Sequence, residues 1–332
     1  MSKKYVLTGV GGGIGGIAAD FALERRRPDQ QLVFSTSSLA KLPPAKVAAW
    51  RDAGVDVVEA SYENVVELTA LFTGADTIAW ISTWAIFHRP QQAANVLEAA
   101  KAAGVRRVVY SSFVGAGLGV DTPEARAITE EGVRAKLPFL PQDHALAERL
   151  IRDSGLAWNV QRNYLYQDNT AAFFSGAWKF CGDRWLNNSG GKRGAYVARE
   201  DCGRVFGALL LGGDAVEVNK VYYVSGPEAV TDREVFEYMN SVSGYKAEFV
   251  EMEDEELRAW WAERGMLADA LKALESDLPI KLCQDDLLCC GQMVKLGYME
   301  EVHDTVEKLT GKKPLGYKEN FVRYEGLFPR ND

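Results

Sequence analysis

The run Thr8-Gly9-Val10-Gly11-Gly12-Gly13-Ile14-Gly15 constrains this 332-residue chain more than any other stretch. It follows a short apolar segment, residues 5–7, that reads as a strand, and it opens a helical pattern over 14–26. Gly9, Gly12 and Gly15 keep the spacing G-x-x-G-x-x-G. Between a strand and a helix, the first glycine permits a tight turn. The second lets the backbone approach a pyrophosphate, and the third lets helix and strand pack closely. Phosphate oxygens then meet unpaired N–H groups at the helix start. The spacing predicts a dinucleotide site built from Thr8, Gly9, Gly12, Gly13, Ile14 and Gly15.

The pattern that follows agrees. Strand-like runs at 32–34, 55–58, 76–81 and 107–110 alternate with helical runs at 45–53, 65–72 and 91–103. Such alternation builds right-handed βαβ units, and hence an α/β fold with a doubly wound parallel (Rossmann) sheet. Gly54 and Gly104 stand just past two of the helices, where a left-handed cap is wanted. Beyond them, a helix over 144–153 and a strand over 157–161 extend the sheet. Residues 1–162 are expected to form the dinucleotide-binding domain. Residues 163–332 are expected to form a mixed substrate-binding region, with a smaller, mainly helical part toward the C-terminus and strands at 195–197 and 221–224 around a helix over 200–210; parts of 195–225 are expected to return to the main sheet. Helices are expected at 255–264 and 267–274. Ligands of open α/β sheets lie at the carboxyl ends of the strands, so this later region is expected to roof that edge.

A formal net charge of −8 disfavours nucleic acid and anionic membrane surfaces as partners. The longest apolar run, near 78–87, is far short of the ~20 residues of a membrane span. Five cysteines without a C-x-x-C pair read as small buried apolar residues of a cytoplasmic protein, and no metal site is expected.

An NAD site usually carries an acid about 20 residues beyond the loop, on the ribose hydroxyls. Here that region reads Ser35-Thr36-Ser37-Ser38, with Lys41 nearby. Hydroxyl side chains suit a 2′-phosphate, so Thr36 and Ser37 are expected to favour NADPH, with NADH not excluded. The Arg25-Arg26-Arg27 triplet ends the first helix, roughly 18 Å from the phosphates at 1.5 Å per residue, and reads as a helix C-terminus completed by cations.

The run from Asn95 to Ser112, and later His144, Glu148, Ser154-Gly155, Arg162-Asn163, Tyr166 and Asn169, resemble the NmrA-like family of atypical short-chain dehydrogenases. Arg199-Glu200-Asp201, Gly226-Pro227-Glu228-Ala229 and Leu309 to Pro314 continue the likeness over nearly the whole chain, closest to the NADPH-dependent quinone oxidoreductase branch. The resemblance implies that Ser61 and Tyr62 flank the adenine. It implies that Ser82, Thr83 and Trp84 line the ribose and nicotinamide, that Ser111 and Ser112 lie beneath the nicotinamide, and that His144 is near its ribose. The arginine common in NADP-binding members at the end of the second strand is replaced by Thr36.

The Tyr-x-x-x-Lys pair of most short-chain dehydrogenases is absent, because no tyrosine occurs between Ser112 and Tyr164. In its place stands His144-x-x-x-Glu148, whose spacing puts both side chains on one helix face. His144, with an imidazole suited to neutral pH, is a candidate proton relay, as are Ser112 and Tyr166. Tyr164, Tyr166 and Trp84 are candidate substrate contacts, with Trp178 and Trp185 as further pocket walls. Trp158 and the pair Trp260-Trp261 read as core. Without a strong donor, a conjugated acceptor that delocalises charge is favoured over a simple ketone. The expectation is an NADPH-dependent reductase of a quinone, enone or aromatic ketone. The alternatives are a non-enzymatic NADP-sensing regulator and a redox-neutral isomerase or lyase on the same fold.

Overall fold

The computed structural model describes residues 2–331. Six strands alternate with helices from the start of the chain: β1 (Lys3–Thr8), β2 (Gln30–Thr36), β3 (Asp56–Glu59), β4 (Ala75–Ile81), β5 (Arg107–Phe113) and β6 (Ala157–Asn163). They pair in the order β3-β2-β1-β4-β5-β6, and a seventh strand, Lys220–Val224, closes the sheet beside β6. Every pairing is parallel. Strand order reverses between β1 and β4, which makes the carboxyl edge there the natural ligand crevice.

Helices cover both faces, so the central strands are buried on both sides and read as continuous apolar runs. One core joins α1 (Gly13–Arg25), α2 (Pro44–Asp52) and the helix Arg199–Leu211 to the sheet through Ala18, Ala22, Trp50, Cys202 and Phe206. The other packs α3 (Val65–Phe72), α4 (Arg89–Ala102) and the helix Phe139–Asp153 through Leu68, Phe72, Val96, Ala147 and Ile151. Asn64 caps α3 by accepting from the amides of Val66 and Glu67. Gly54 and Gly104, at φ of 76° and 71°, turn the chain past α2 and α4.

Helix Arg199–Leu211 lies very close to α1. A Cβ on Gly203 would come within 2.6 Å of the Ile17 side chain, and one on Gly207 within 2.8 Å of the Ala18 carbonyl. Two glycines one helical turn apart thus let the backbones approach.

The later region is mostly helical, with Asp232–Ser243, Asp254–Ala262 and Gln284–Lys295 as its longer helices. Its core gathers Leu257, Trp261, Met266, Ile280 and Leu288. Two short strand pairs brace it, Arg184–Asn187 with Glu248–Glu251 and Arg193–Gly194 with Val230–Thr231.

Three expectations are corrected. The helix over 267–274 does not form. The Asp269 carboxylate accepts the Leu271 amide, a local turn that competes with helix, and the chain makes only a short 3-10 turn, Ala273–Glu275. Residues 195–197 form no strand: Val197 makes one bridge to Tyr166, and the Ala195 amide donates to Met299. Trp158 is half-buried at the core's edge, under the Arg152 guanidinium, rather than inside it. The helix expected from 144 begins at Phe139, after Pro138. Four cysteines are buried and Cys290 is half-buried, all with free thiols. Among the described residues no helix is long and apolar enough to cross a membrane, and no cluster of His, Cys, Asp or Glu could hold a metal ion.

Candidate cofactor and substrate site

The glycine loop crosses the carboxyl end of β1 with the geometry its spacing demands. Gly9 sits at φ 76°, a conformation that side chains disfavour. A Cβ on Gly15 would fall 2.0 Å from the Gly9 carbonyl, so this position enforces the close helix–strand approach. Gly12 is different. It is exposed, and a Cβ there would meet only the Gly9 carbonyl, at 3.6 Å. Gly12 is the N-cap of α1, no side chain caps it, and its own amide donates to Gly9. The helix therefore starts with free amides over open space, a cradle that fits a pyrophosphate.

Thr8 and Tyr62 support this loop from below. The Thr8 hydroxyl is 2.5 Å from the Tyr62 hydroxyl, which also donates to the Ile81 carbonyl at 3.1 Å. Burial raises the Tyr62 pKa, so the phenol stays neutral. Both hydroxyls are thus spent inside the protein, and Tyr62 offers a ligand only its half-exposed ring. Ser61 caps the turn by accepting the Glu63 amide.

At the end of β2, Thr36 is 5% exposed and its hydroxyl lies 3.4 Å from the Ser38 amide, which donates to it, whereas Ser37 is exposed. An acid that the sequence order hides stands beside them. Glu59, at the end of β3, pairs in register with Thr36 and accepts the Leu39 amide at 2.5 Å. The search for an acid along β2 could not see it, because it arrives from the neighbouring strand.

Ser82 and Ser111, from the ends of β4 and β5, meet directly: the Ser82 amide donates to the Ser111 hydroxyl at 2.8 Å. Thr83 donates to Gln92 at 2.7 Å, and Gln92 donates to Glu63 at 2.9 Å, which ties the turns after β3 and β4 together. Arg89, 7% exposed at the start of α4, donates to the Thr83 carbonyl at 2.8 Å. In the same turn Phe87 has φ 65°, a strained conformation for a bulky residue, held by its amide donating to Asp143 at 2.6 Å.

His144 and Glu148 share one helix face but do different work. His144, 6% exposed, holds the Tyr110 hydroxyl at 3.0 Å through Nδ1. Burial, aided by the nearby Arg89 charge, lowers its pKa well below the usual value, so the imidazole is neutral at pH 7. The expectation of an imidazole titrating near neutrality is corrected accordingly. Glu148 is fully buried and accepts from Arg162 at 2.6 and 3.0 Å, and from the Ser112 hydroxyl at 2.6 Å. Arg162 also grips Asp121 with two bonds and donates to the Tyr223 hydroxyl at 2.7 Å. Burial alone would lower the Arg162 pKa, but Glu148 and Asp121 outweigh it and hold the guanidinium charged. Ser112 is therefore occupied as part of a buried ionic network.

The aromatic candidates separate. Tyr166 lies under the Arg199 guanidinium, 5.2 Å from its ring centre, and its hydroxyl accepts from Asn163 at 3.2 Å. Burial raises the pKa of both Tyr164 and Tyr166. Tyr166 lines a cavity of about 50 Å³ with Asn169, Trp185, Tyr196 and Asp232. Trp84, 58% exposed, lines another of about 130 Å³ with Ile86, Leu271, Leu274 and Leu282. Tyr164 turns away from both, its hydroxyl 3.1 Å from His303. Trp178 is 1% exposed and stacks on Trp185, so it is core, not a pocket wall.

Sequence reasoning missed three charged residues here. Arg199 reaches the glycine loop, its Cδ 3.7 Å from where a Gly13 Cβ would stand, and it donates to Asn169. Asp286 is part of the lining of the Trp84 cavity, and the charge of Arg89 acts on it. A cation at the first turn of a helix, where the dipole disfavours it, is the one trace that Arg89 and Arg199 leave in the sequence.

Comparison with known proteins gives consistent matches. Residues 9–205 match the model of a family described as NAD(P)H-binding. Quinone oxidoreductase 2 of Escherichia coli is 25% identical over 268 residues, 80% of this chain and 84% of that protein. The NAD(P)H azoreductase of Xenophilus azovorans is 24% identical over 290 residues, 84% of this chain and 88% of that one. Among solved structures, the NADPH complex of an Escherichia coli NADPH-dependent quinone oxidoreductase superposes with a TM-score of 0.74 at 24% identity, covering 96% of this chain and 98% of that one. Citrobacter triphenylmethane reductase with NADP(H) gives 0.71 at 20% identity, covering 96% and 99%.

Proposed function

Since this chain belongs to the NAD(P)H-binding family, we propose that it is a reductase that passes hydride from NADPH to a conjugated or aromatic carbonyl acceptor, a quinone or enone. The observation that carries the reading is the open, uncapped glycine start of α1, at the switch point of the sheet and beside the Ser82–Ser111 junction. The relatives matched over most of the chain reduce quinones and azo compounds by their names, which supports an oxidoreductase.

The chain's own groups would divide the work. The first amides of α1, with Arg199 beside Gly13, would hold the pyrophosphate. Ser37, and Lys41 close by, would face the adenosine 2′-phosphate, while Glu59 opposes it and keeps the preference for NADPH modest. Ser82, Ser111 and the neutral His144 would set the nicotinamide end. The bound cofactor supplies the hydride. Trp84 and the apolar side chains about it would receive a flat small molecule and exclude water.

The test is NADPH oxidation by the purified protein against a panel of quinones, enones and simple ketones. Turnover with the first two classes and little with ketones is expected. Tight NADPH binding without turnover on any acceptor would overturn the reductase reading.

A further inference from the structure

The cavity beside Trp84 holds one feature that its apolar lining does not explain. Asp286, the third residue of the helix Gln284–Lys295, is 3% exposed, and it lines this cavity of about 130 Å³ together with Trp84, Ile86, Leu274 and Leu282. Buried carboxylates ordinarily have their oxygens matched by donors. Among the described residues, no donor reaches the Asp286 carboxyl and no cation lies within salt-bridge range; only its backbone is bonded, the amide donating to Cys283 and the carbonyl accepting from the Cys290 thiol. Arg89 acts on it from farther off. The cavity approaches the size, roughly 150 Å³, at which an apolar void takes up a benzene ring. It borders the turn after β4, whose Ser82 and Thr83 adjoin the proposed nicotinamide position.

We propose that Asp286 is the proton donor of the reaction, its protonated carboxyl meeting the oxygen of an acceptor held against Trp84. The inference rests on the reductase reading above. It answers what replaces the missing Tyr–Lys pair: His144 is neutral and hard to protonate, and the buried tyrosines are pushed further from titration. Burial raises the Asp286 pKa to about 7, against the attraction of Arg89, so the carboxyl is part-protonated near neutrality.

The step balances. The acceptor takes two electrons and one hydrogen, as hydride, from NADPH, which is oxidised to NADP+. The acceptor oxygen that gains the electron pair forms an O–H bond as the Asp286 O–H bond breaks. Water then returns a proton to the carboxylate, so acceptor, NADPH and one solvent proton give reduced acceptor and NADP+.

The groups facing Asp286 are Arg89 from α4, Lys281 from the segment before the helix, and Cys283, Cys289 and Cys290 from its own helix and cap, while the neighbouring Asp285 is paired with Arg258. His144, Tyr110 and Asp143 lie around Arg89. With the protonated form active, kcat/KM should fall as pH rises through about 7. Asp286→Asn should keep NADPH affinity within about threefold by calorimetry. It should lose about 10²-fold in kcat with a quinone, the usual scale of general acid catalysis, and lose the alkaline limb near pH 7. Asp286→Glu should recover part of that rate. A readout without turnover comes from thermal melting. Because the penalty of ionising this buried carboxyl grows from the unfolded-chain value of 3.8 up to about 7, its removal should raise Tm most at pH 8.5, less at pH 5, and hardly at all below about pH 3.5. Unchanged kcat, a surviving alkaline limb in Asp286→Asn, or loss of NADPH binding in that variant would each overturn the assignment. A wild type that turns over no acceptor would instead sink the reductase reading itself, and the donor role with it.

Discussion

Replacing Glu148 by alanine would leave the Arg162 guanidinium, 1% exposed, facing Asp121 and Tyr223 alone. Breaking a buried pair by removing one partner costs about 3–5 kcal/mol, because an uncompensated charge stays inside. Glu148→Ala should lose stability on that scale in chemical denaturation, and Glu148→Gln less. At the opposite pole, Gly12→Val should leave Tm within a few degrees, since its added atoms meet little protein. They would fill the space a pyrophosphate needs, so NADPH binding by calorimetry should vanish; retained affinity would refute the cradle. The glycine positions were legible because local backbone geometry dictates them. The i, i+4 spacing of His144 and Glu148 was legible too, but their partners were not. Tyr110, Ser112 and Arg162 come from β5 and β6, and only the folded sheet brings them together. The same holds for Glu59, which a search along one strand cannot find.

Between elements, the tightest junction is α1 against Arg199–Leu211. An alanine at Gly207 would press on the Ala18 carbonyl at 2.8 Å and the Phe21 ring at 3.0 Å. Overpacking of this kind typically costs about 1–3 kcal/mol, so Gly207→Ala should lower the denaturant midpoint, and bulkier residues should do so more steeply. NADPH affinity should suffer as well, because the helix carries Arg199 to the glycine loop. The helix itself could be read from its composition, whereas its neighbour could not. Where the pattern misled, at 267–274, the helix period was present without a face to bury: Leu271 and Leu274 are 59% and 65% exposed. Periodicity predicts a helix only when something packs against it.

For the molecule as a whole, ligand binding and stability should be linked. A ligand at 100 times its Kd adds about 2.7 kcal/mol to a two-state protein, so saturating NADPH should raise the Tm of the wild type by several degrees and that of Gly12→Val not at all. Equal shifts in both would mean that the cofactor binds elsewhere. The doubly wound layout was plain in the alternation of the first half. The strand pairs of the second half are two to four residues long and join distant segments, too short to leave a period.

The position of the seventh strand also governs how the chain is made. β6 ends at Asn163, but the strand that covers its outer edge ends at Val224, and the helix that seals α1 lies between them. A ribosome adding about 5–20 residues per second needs roughly 3–12 s to cross that gap. During this interval the nascent sheet has an open edge and a bare apolar face beside the glycine loop. The newborn chain should therefore be a chaperone client until residue 224 has cleared the exit tunnel, and synonymous codons that slow translation between 164 and 224 should lower soluble yield.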